Sequence, residues 1–235
     1  MRVGIMQPYF LPYIGYFQLL NYCDTFVIYD DIQYTKKGWI NRNRFQLNGE
    51  VRTFSLNLKS ASDYLLIGER SLADNFDRSK LLRSIEAAYR KAPYFDELVD
   101  FLRPVVLFES HNLFSYLENS IKQASLHLGI TTKIVRSSEL EFDNDLRGQE
   151  RVLEICDVLG ANQYINPIGG LDLYDRQSFM DRGIELKFIK SRLTPYSQGN
   201  FEFVPALSVV DQIALCGSER IKPALANDFD LKEAE

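Results

Sequence analysis

The pattern of apolar and polar positions changes along the chain and separates two α/β stretches from a helical one. A short apolar run at residues 2–6, a helical stripe at 13–22 and a second apolar run at 25–29 predict a strand, a helix and a strand. Because the connection is a helix, the two strands are expected to be parallel. Between residues 45 and 58, alternating apolar residues flank Asn48-Gly49, a strong turn signal, and predict a hairpin.

The middle of the chain, about residues 77–129, has a helical pattern. Its apolar residues recur at helical spacing in three runs, and Pro93, Pro104 and Gly129 mark the predicted helix ends. Short apolar runs then return and alternate with helical stripes, which is the repeating pattern of a doubly wound sheet. These predicted strands cover residues 133–135, 163–165 and 184–189. The tail from about Asn227 is acidic and is predicted to fray.

Together these patterns predict an α/β fold with a mostly parallel, Rossmann-like sheet. We expect a single domain over residues 1–235, because no flexible linker, repeat or low-complexity tract divides the chain. Its α/β halves would cover about residues 1–60 and 130–220, and the helices of about residues 77–129 would form an insertion or subdomain between them.

The composition is that of an ordinary globular protein. Hydrophobic residues make up 46% of the chain and charged residues 25%, which excludes disorder and a small disulfide-bonded scaffold. No apolar stretch approaches the roughly 20 residues that span a bilayer, and the N-terminus lacks the apolar region of a signal peptide. We therefore expect a cytoplasmic protein without membrane insertion. Its 3 cysteines and 2 histidines show no ligand spacing, so no metal site is predicted.

The charge is distributed unevenly. A net charge of −5 disfavours a nucleic-acid partner. Residues 32–60 nevertheless carry a basic island that is opposed by a single acid, Glu50. The basic residues are Lys36, Lys37, Arg42, Arg44, Arg52 and Lys59. Such an island predicts a small anionic ligand, carrying a phosphate or a carboxylate, although a solvated strand face would have the same composition.

The first candidate site is the aromatic segment after the first strand. Ligands of open α/β sheets bind beyond the carboxyl ends of the strands, and a helix that begins there offers free N–H groups to an anion. The candidate residues are Gln7, Pro8, Tyr9, Tyr13, Gly15 and Tyr16. Gln7 is polar and directly follows a buried strand, which favours function, and Gly15 would allow a ligand to approach closely. The aromatic side chains could equally belong to the core or to a homodimer interface.

The second candidate site follows the second strand. Asp30 and Asp31 leave this strand at its carboxyl end, where they could act as a base, accept from a ribose hydroxyl, hold Mg²⁺ or cap a turn. The other candidates are Tyr34, Lys36, Lys37, Trp39, Asn41, Arg42, Asn43 and Arg44. Arginine binds phosphate or carboxylate through two hydrogen bonds and lysine acts as a point charge, so the segment predicts a ligand-binding edge.

The third candidate site follows a strand of the second half, at Asn166-Pro-Ile-Gly-Gly170. Gly169 and Gly170 would let a phosphate or a ribose approach backbone N–H groups, although a pair of glycines is also common in turns. Asn166 and Tyr174 are assigned to the same pocket, where Tyr174 could alternatively belong to the start of the next helix.

Four segments of the chain closely resemble the WbqC-like protein family. They are Val3 to Leu19, Phe26 to Arg44, Tyr164 to Gly170 and Phe203 to Asp211, and the resemblance covers nearly the whole chain. The family is bacterial and is found in gene clusters for the O-antigen of lipopolysaccharide and for other surface polysaccharides. The resemblance implies a role in that biosynthesis, and the reaction suggested for the family is transfer of glycine or another amino acid to an amino sugar.

A second resemblance connects Tyr13-Ile-Gly-Tyr16 with the H-x-G-H signature of class I nucleotidylyltransferases and aminoacyl-tRNA synthetases. It implies a HUP-type, nucleotidylyltransferase-like form of the Rossmann fold. In that superfamily the two histidines stabilise a triphosphate, whereas tyrosine donates a hydrogen bond and carries no positive charge at neutral pH. Lys36, Lys37 or Arg42 would have to supply the missing charge.

The resemblance to the WbqC-like family implies an acyl or aminoacyl (glycyl) transferase, and we expect it to act on a nucleotide-linked amino sugar. Gln7, Tyr13 and Tyr16 would line the reacting centre, and one of the two aspartates would deprotonate the amine. Lys37 is assigned to the catalytic group, and Lys36, Lys37, Arg42 and Arg44 would hold phosphates. ATP with Mg²⁺ is one way to activate the acyl group; a nucleotidylyltransferase and a non-catalytic nucleotide-sugar-binding protein are the alternatives. The prediction requires Gln7, Asp31 and Lys37 to share one positively charged cleft.

Overall fold

The central sheet is mostly parallel, as the sequence predicts. The structure, a computed structural model, describes residues 1–233. Its sheet strands are β1 (Arg2–Met6), β2 (Thr25–Ile28), β5 (Lys133–Arg136), β6 (Gln163–Pro167), β7 (Glu185–Ser191) and β8 (Phe229–Glu233). They lie in the order β5-β2-β1-β6-β7-β8, and β8 alone among them runs antiparallel to its neighbour. A separate antiparallel pair consists of β3 (Arg42–Leu47) and β4 (Glu50–Ser55).

Strand β1 occupies the middle of the sheet, where both of its faces are covered. Val3 and Ile5 pack on one face, and Gly4 lies on the other, where an added Cβ would be 2.8 Å from the Cys23 Sγ. β1 pairs with β2 on one side and with β6 on the other. From β1 the chain builds the sheet outward to β5, and it then returns to build β6 and β7 in the other direction. The order of the strands therefore reverses between β1 and β6.

Helices cover both faces of the sheet. They are α1 (Ile14–Tyr22), α2 (Arg78–Tyr89), α3 (Phe95–Val106), α4 (Leu113–His127), α5 (Gly148–Leu159), α6 (Arg176–Asp181), α7 (Val209–Cys216) and α8 (Ser218–Asn227). One large core joins α1 to α2–α4, α7, α8 and the β3-β4 pair, whereas a smaller core packs α5 and α6 against the opposite face. Within residues 1–233, no helix combines the length and the apolar character needed to cross a bilayer.

One predicted helix end was wrong. Pro104 lies inside α3, which continues to Val106. The helix continues because Leu98, Leu102 and Val105 are fully buried on one face, and this burial outweighs the loss of one backbone N–H at the proline. The Pro104 carbonyl also accepts a hydrogen bond from the Asn119 Nδ2 at 3.0 Å, which ties α3 to α4.

The C-terminal region is more ordered than the sequence predicts. The patterns indicated neither α7, α8 nor β8, and the tail from about Asn227 was predicted to fray. Instead, residues 229–233 pair antiparallel with β7, and Phe229 packs edge-on against the Tyr22 ring with 5.5 Å between ring centres. This prediction was wrong because the pairing partner lies far away in the sequence. The predicted hairpin is confirmed, with its turn at Asn48-Gly49, although β3 begins earlier, at Arg42.

Candidate functional site

The parallel strands bring the three candidate segments to one edge of the sheet. Gln7 follows β1, Tyr29 follows β2 and Ile168 follows β6, all at carboxyl ends. The strand order reverses between β1 and β6, and open α/β sheets bind ligands in the crevice beyond such a reversal. Two cavities lie among the segments that leave this edge.

The first two candidate segments are held together by hydrogen bonds. The Phe10 N–H donates to the Ile40 carbonyl at 3.0 Å. The buried Asn43 Nδ2 donates to the carbonyls of Phe10 and Leu11 at 3.2 and 2.9 Å. The Asn43 Oδ1 accepts from the Arg44 N–H at 2.8 Å. Asn43 therefore uses its amide to position the two segments.

A third segment, residues 206–209, closes onto the same place. The Ser208 N–H donates to the Arg44 carbonyl at 2.9 Å, and the Ser208 hydroxyl donates to the Leu11 carbonyl at 2.7 Å. Leu11 and Ala206 have φ angles of +45° and +54°. Residues with a Cβ rarely adopt this left-handed conformation, and such strain persists where the surroundings enforce it, frequently at binding sites.

A cavity of about 200 Å³ opens where these three segments meet, and we call it the Trp39 cavity. Its lining residues are Tyr9, Pro12, Tyr13, Trp39, Asn43, Arg44 and Ala206. The guanidinium carbons of Arg42 and Arg44 lie 5.7 and 5.2 Å from the centre of the Trp39 ring. Burial raises the pKa of Tyr9 and that of Tyr13, so both hydroxyls remain protonated. The cavity combines flat aromatic walls with hydrogen-bond donors and positive charge.

A second cavity, of about 510 Å³, lies beyond the carboxyl ends of β2 and β6, and we call it the Asp31 cavity. Its walls come from the segment after β2, residues 64–66, the start of α5 and the segment after β6. The lining residues include Tyr29, Asp31, Gln33, Arg147, Gln149, Arg151 and Tyr174. The position of this cavity is the one expected of a ligand site in an open α/β sheet.

Asp31 forms an ion pair with Arg151 in the Asp31 cavity. The Arg151 Nη2 donates to the Asp31 Oδ2, and the Ser137 hydroxyl reaches the Asp31 Oδ1. The Arg151 side chain is 5% exposed and the Asp31 side chain 18%. The Arg151 guanidinium carbon lies 4.9 Å from the Phe142 ring centre and 5.6 Å from that of Tyr29. These contacts fix Arg151, and through it the orientation of an aspartate that keeps an exposed edge.

Asp30 has a different role from its neighbour. Its Oδ1 accepts from the Ser138 N–H at 3.0 Å, its Oδ2 accepts from the Ser138 hydroxyl, and its Oδ1 lies 3.0 Å from the Ser137 hydroxyl, whose single proton it shares with Asp31. Because these serines directly follow β5, Asp30 ties the end of β2 to the end of β5. Of the roles predicted for the two aspartates, Asp30 therefore has the structural one, a cap or turn, whereas Asp31 lines a cavity.

The third candidate segment reaches the Asp31 cavity through Tyr174. The Tyr174 hydroxyl lies 3.1 Å from that of Tyr164, which in turn donates to the Asn166 Oδ1 at 3.1 Å. An added Cβ at Gly170 would lie 2.0 Å from the Asn166 Nδ2, whereas nothing lies within 4 Å of one at Gly169. Gly170 is thus explained by close packing within the protein, and Gly169 remains the candidate for approach of a ligand.

Comparison with known proteins identifies the family of the chain. The family model described as "WbqC-like protein family" matches residues 7–223, which span all three candidate segments. The chain belongs to the WbqC-like family. The resemblance seen in the sequence is thereby confirmed. The chain is also similar to the "Uncharacterized protein Rv1507c" of Mycobacterium tuberculosis (strain ATCC 25618 / H37Rv), with 30% identity over 223 residues, 93% of this chain and 95% of that protein. No solved structure matches it.

The WbqC-like chain does not bring Gln7, Asp31 and Lys37 together in either cavity. Neither cavity is lined by Gln7 or Lys37. Lys37 is exposed, and the exposed Lys36 pairs with Asp63 at 2.6 Å. The two N-terminal segments do converge, but neither cavity is the predicted cleft that Gln7, Asp31 and Lys37 would share. Lys37 is absent from both cavities because it lies on a surface loop.

Tyr16 and Gly15 belong to the packed interior of the WbqC-like fold. Tyr16 is 3% exposed, its hydroxyl donates to the Gln7 carbonyl at 3.1 Å, and burial raises its pKa well above the ordinary range. An added Cβ at Gly15 would lie 2.3 Å from the Ser191 Oγ and 2.4 Å from the Tyr13 ring. Of the two tyrosines in the H-x-G-H-like motif, Tyr13 alone lines one of the two cavities.

Three further predicted residues organise the loops of the WbqC-like signature. The Tyr34 hydroxyl donates to the Asn41 Oδ1 at 2.8 Å, and the Asn41 Nδ2 donates to the Leu56 carbonyl at 2.9 Å. Pro8 is buried. These side chains make contacts within the protein, and none of them lines either cavity.

Sequence reasoning missed Arg151, although a signal was present. Arg151 lies four residues before Ile155, so it falls on the apolar stripe of α5, and it is 4% exposed. A charged residue on a buried helix face indicates a buried ion pair, because an unpaired charge there would be costly. The identity of the partner, Asp31, could not be read from the sequence, since the two residues are 120 positions apart.

A second buried carboxylate was also missed. Asp211, in the first turn of α7, is fully buried and accepts hydrogen bonds from the hydroxyls of Tyr89 and Tyr196, both at 2.6 Å, and from the Gln198 Nε2 at 3.2 Å. Burial raises its pKa. A cavity of about 610 Å³ lies beside it, but the Asp211 oxygens are already engaged by these donors. Asp211 therefore joins α7 to α2 and to the segment after β7.

Proposed function

We propose that this WbqC-like protein is an acyl or aminoacyl transferase that acts on a nucleotide-linked amino sugar in the biosynthesis of a bacterial surface polysaccharide. The observation that carries the proposal is the Asp31 cavity, which presents a carboxylate–arginine pair and the N-terminus of α5 beyond the strand ends. Its volume of about 510 Å³ is within the range of about 300–1,000 Å³ common for small-molecule sites.

The roles in the reaction follow from the placement of the charges. The amine nitrogen of the acceptor attacks the acyl carbonyl carbon, the C–N bond forms, and the bond to the leaving group breaks. Asp31 accepts the proton that the nitrogen loses, and Arg151 holds Asp31 in position. The free N–H groups in the first turn of α5, together with the exposed Arg147, would bind a phosphate of the nucleotide.

We further propose that the sheet is a Rossmann-like fold of the HUP, nucleotidylyltransferase-like type. Counted along the chain, the five parallel strands lie in the order third, second, first, fourth and fifth. This order supports the assignment, because it is that of a doubly wound nucleotide-binding sheet. The assignment agrees with a nucleotide as part of the substrate.

The proposal is tested first by binding and then by turnover. Thermal-shift measurements would compare a UDP-linked amino sugar with the same UDP-sugar lacking the amino group. The protein would then be incubated with the amino sugar, amino acids and ATP with Mg²⁺, or with preformed aminoacyl adenylates, and the acylated product sought by mass spectrometry. We expect Asp31→Asn to abolish turnover and the exposed control Asp63→Asn to retain it. Absence of an amide product with every donor would reject the transferase.

A non-catalytic nucleotide-sugar-binding protein is the second candidate. It is favoured by the fact that both Asp31 carboxylate oxygens already have protein partners, Ser137 and Arg151. This candidate predicts that calorimetry detects nucleotide-sugar binding, that Asp31→Asn weakens it, and that the unmodified protein shows no turnover with any donor.

A nucleotidylyltransferase acting on a sugar phosphate receives less support. Its chemistry would need a side chain that is charged, or that donates a hydrogen bond to the triphosphate, at the second histidine position of the H-x-G-H-like motif. The Tyr16 hydroxyl there is buried and donates to a backbone carbonyl. Release of pyrophosphate that requires a sugar phosphate and no amino acid would nevertheless favour this activity over acyl transfer.

A further inference from the structure

The Trp39 cavity contains an arginine without an anionic partner. Within residues 1–233, no carboxylate oxygen lies within 4.0 Å of a nitrogen of Arg44. The Arg44 Nη2 makes a long contact of 3.4 Å with the Ala206 carbonyl, and the buried Arg44 Nε meets no protein acceptor there. Guanidinium groups have five N–H donors, so most of the hydrogen-bonding capacity of Arg44 is left for a ligand.

A second cation strengthens the positive potential beside this cavity. The Arg42 Nε and Nη2 donate to the carbonyls of Gly38 and Lys37 at 3.0 and 2.8 Å, which holds the group in place, and again no carboxylate of the described chain lies within 4.0 Å of it. The guanidinium groups of Arg42 and Arg44 approach the same indole ring. Two arginines that share one aromatic partner and lack a counter-charge favour binding of an anion between or beside them.

We propose that the Trp39 cavity binds a small organic carboxylate with a flat or apolar body. The carboxylate would accept hydrogen bonds from Arg44, since a planar guanidinium fork matches the two oxygens of a carboxylate. The body would lie against Trp39, Tyr9 and Tyr13, which form the flat walls of the cavity. Hydrogen bonds from Asn43 and Ser208 to the Leu11 carbonyl hold the strained segment behind these walls in position.

The size of the cavity selects among anions. Its volume of about 200 Å³ lies below the range of about 300–1,000 Å³ that is common for pockets that bind drug-sized ligands. This space fits a carboxylate that carries one small ring or a short chain, and it is too small for a complete nucleotide. Inorganic phosphate would fit by size and charge, but it would leave the aromatic walls without a contact.

This inference goes beyond the proposed function and does not depend on it. The Asp31 cavity and the Trp39 cavity share no lining residue. A carboxylate site at Trp39 can therefore exist whether or not the Asp31 cavity carries out acyl transfer. Binding of a carboxylate at the Trp39 cavity can be measured without any turnover, so the two proposals can fail separately.

The experiment uses Trp39 as its own reporter, because it is the sole tryptophan of the chain. The 235-residue chain would be titrated with benzoate, with the neutral analogue benzamide, and with inorganic phosphate, while tryptophan fluorescence is recorded at constant ionic strength. We expect a saturable change with benzoate and at least about tenfold weaker binding of benzamide, because hydrogen bonds to a charged group are stronger than neutral ones. Inorganic phosphate is expected to bind more weakly than benzoate.

Substitutions test whether Arg44 causes the preference for benzoate over benzamide. Arg44→Gln is expected to remove the preference for benzoate over benzamide. Arg52→Gln is the matched control, because Arg52 is an exposed arginine on the neighbouring strand β4 and should leave the titration unchanged. Equal binding of benzoate and benzamide by the unmodified protein, or no saturable change with either, would overturn the proposal even if Arg44→Gln fails to fold. Phosphate binding more tightly than benzoate would overturn the choice of a carboxylate.

Discussion

The Asn43 Nδ2 donates a hydrogen bond to the Leu11 carbonyl oxygen at 2.9 Å, across 32 positions of sequence. Leu11 is fully buried and has a φ angle of +45°, a conformation that a leucine does not adopt without external support. The bond therefore couples the segment after β1 to the start of β3, and it fixes the wall on which the Trp39 cavity is built.

Replacement of Asn43 with alanine tests this coupling. The change leaves the buried Phe10 carbonyl without its side-chain donor, removes one of the two side-chain donors of the Leu11 carbonyl, and removes the acceptor of the Arg44 N–H. We therefore expect the free energy of unfolding to fall by about 2–3 kcal/mol. Urea denaturation followed by circular dichroism would measure it. The exposed Asn57→Ala should change stability by less than about 0.5 kcal/mol. Similar midpoints for both variants would show that the two segments hold together without the Asn43 amide.

The main elements of the fold could be predicted because they depend on local patterns. The apolar runs of β1 and β2 and the helical stripes of α2 and α5 follow from residues near one another in the sequence. Strand β8 could not be predicted in this way, since its residues are mostly polar or exposed and form a strand only by pairing with β7. Pro104 was misread because tertiary burial decided the length of α3.

The site was predictable in part for the same reason. Asp31 follows a buried strand, and this position alone placed it at the carboxyl edge of the sheet. Its hydrogen-bonding partners come from positions more than 100 residues away, so the distinction between Asp31 at a cavity and Asp30 in a tie between loops required the tertiary structure. For Lys37 the sequence was misleading. Its positive charge predicted a contact with a ligand, but in the structure its backbone carbonyl accepts a hydrogen bond from Arg42.

The Asp31–Arg151 pair should respond asymmetrically to mutation. Asp31→Asn leaves a nearly buried guanidinium without a counter-charge, and we expect a loss of about 2–3 kcal/mol of unfolding free energy. Arg151→Met leaves Asp31 partly exposed and still bonded to Ser137, while the methionine can pack against the aromatic neighbours, so the loss should be at least about 1 kcal/mol smaller. Urea midpoints at unchanged m-value would measure both. A larger loss for Arg151→Met would contradict the assignment of Arg151 as the buried partner.

Stability should depend on pH through Glu118. Burial alone would raise the pKa of Glu118, but hydrogen bonds from Arg136, at 2.7 and 3.0 Å, and from Lys122, at 2.8 Å, outweigh burial and lower the pKa. A carboxyl whose pKa is lower in the folded state stabilises the fold above its unfolded pKa of 4.5, and this contribution is lost as the pH falls through the folded pKa.

We therefore expect Glu118→Gln to lower the unfolding free energy by about 1–2 kcal/mol near neutral pH, a value reduced by the partial exposure of Arg136. The difference from the unmodified protein should shrink towards zero as the pH is lowered well below 4.5. Urea denaturation at several pH values would measure it, with the exposed Glu141→Gln as control. A difference independent of pH would mean that the loss arises from packing and not from ionisation.

The two predicted glycines Gly15 and Gly169 should behave differently although both were assigned to ligand binding. An alanine at position 15 places its Cβ 2.4 Å from the Tyr13 ring, so the ring must shift. We expect a loss of about 1–3 kcal/mol, which overcomes the gain of up to about 1 kcal/mol that alanine brings to a helix. Gly169→Ala meets nothing within 4 Å and should leave the free energy of unfolding unchanged, and urea denaturation would compare the two variants.

Because Tyr13 is a wall of the Trp39 cavity, Gly15→Ala should also weaken benzoate binding in the fluorescence titration. If Gly15→Ala changes neither the stability nor the benzoate affinity, the Tyr13 ring can move without cost, and the claim that the cavity is preorganised would be rejected.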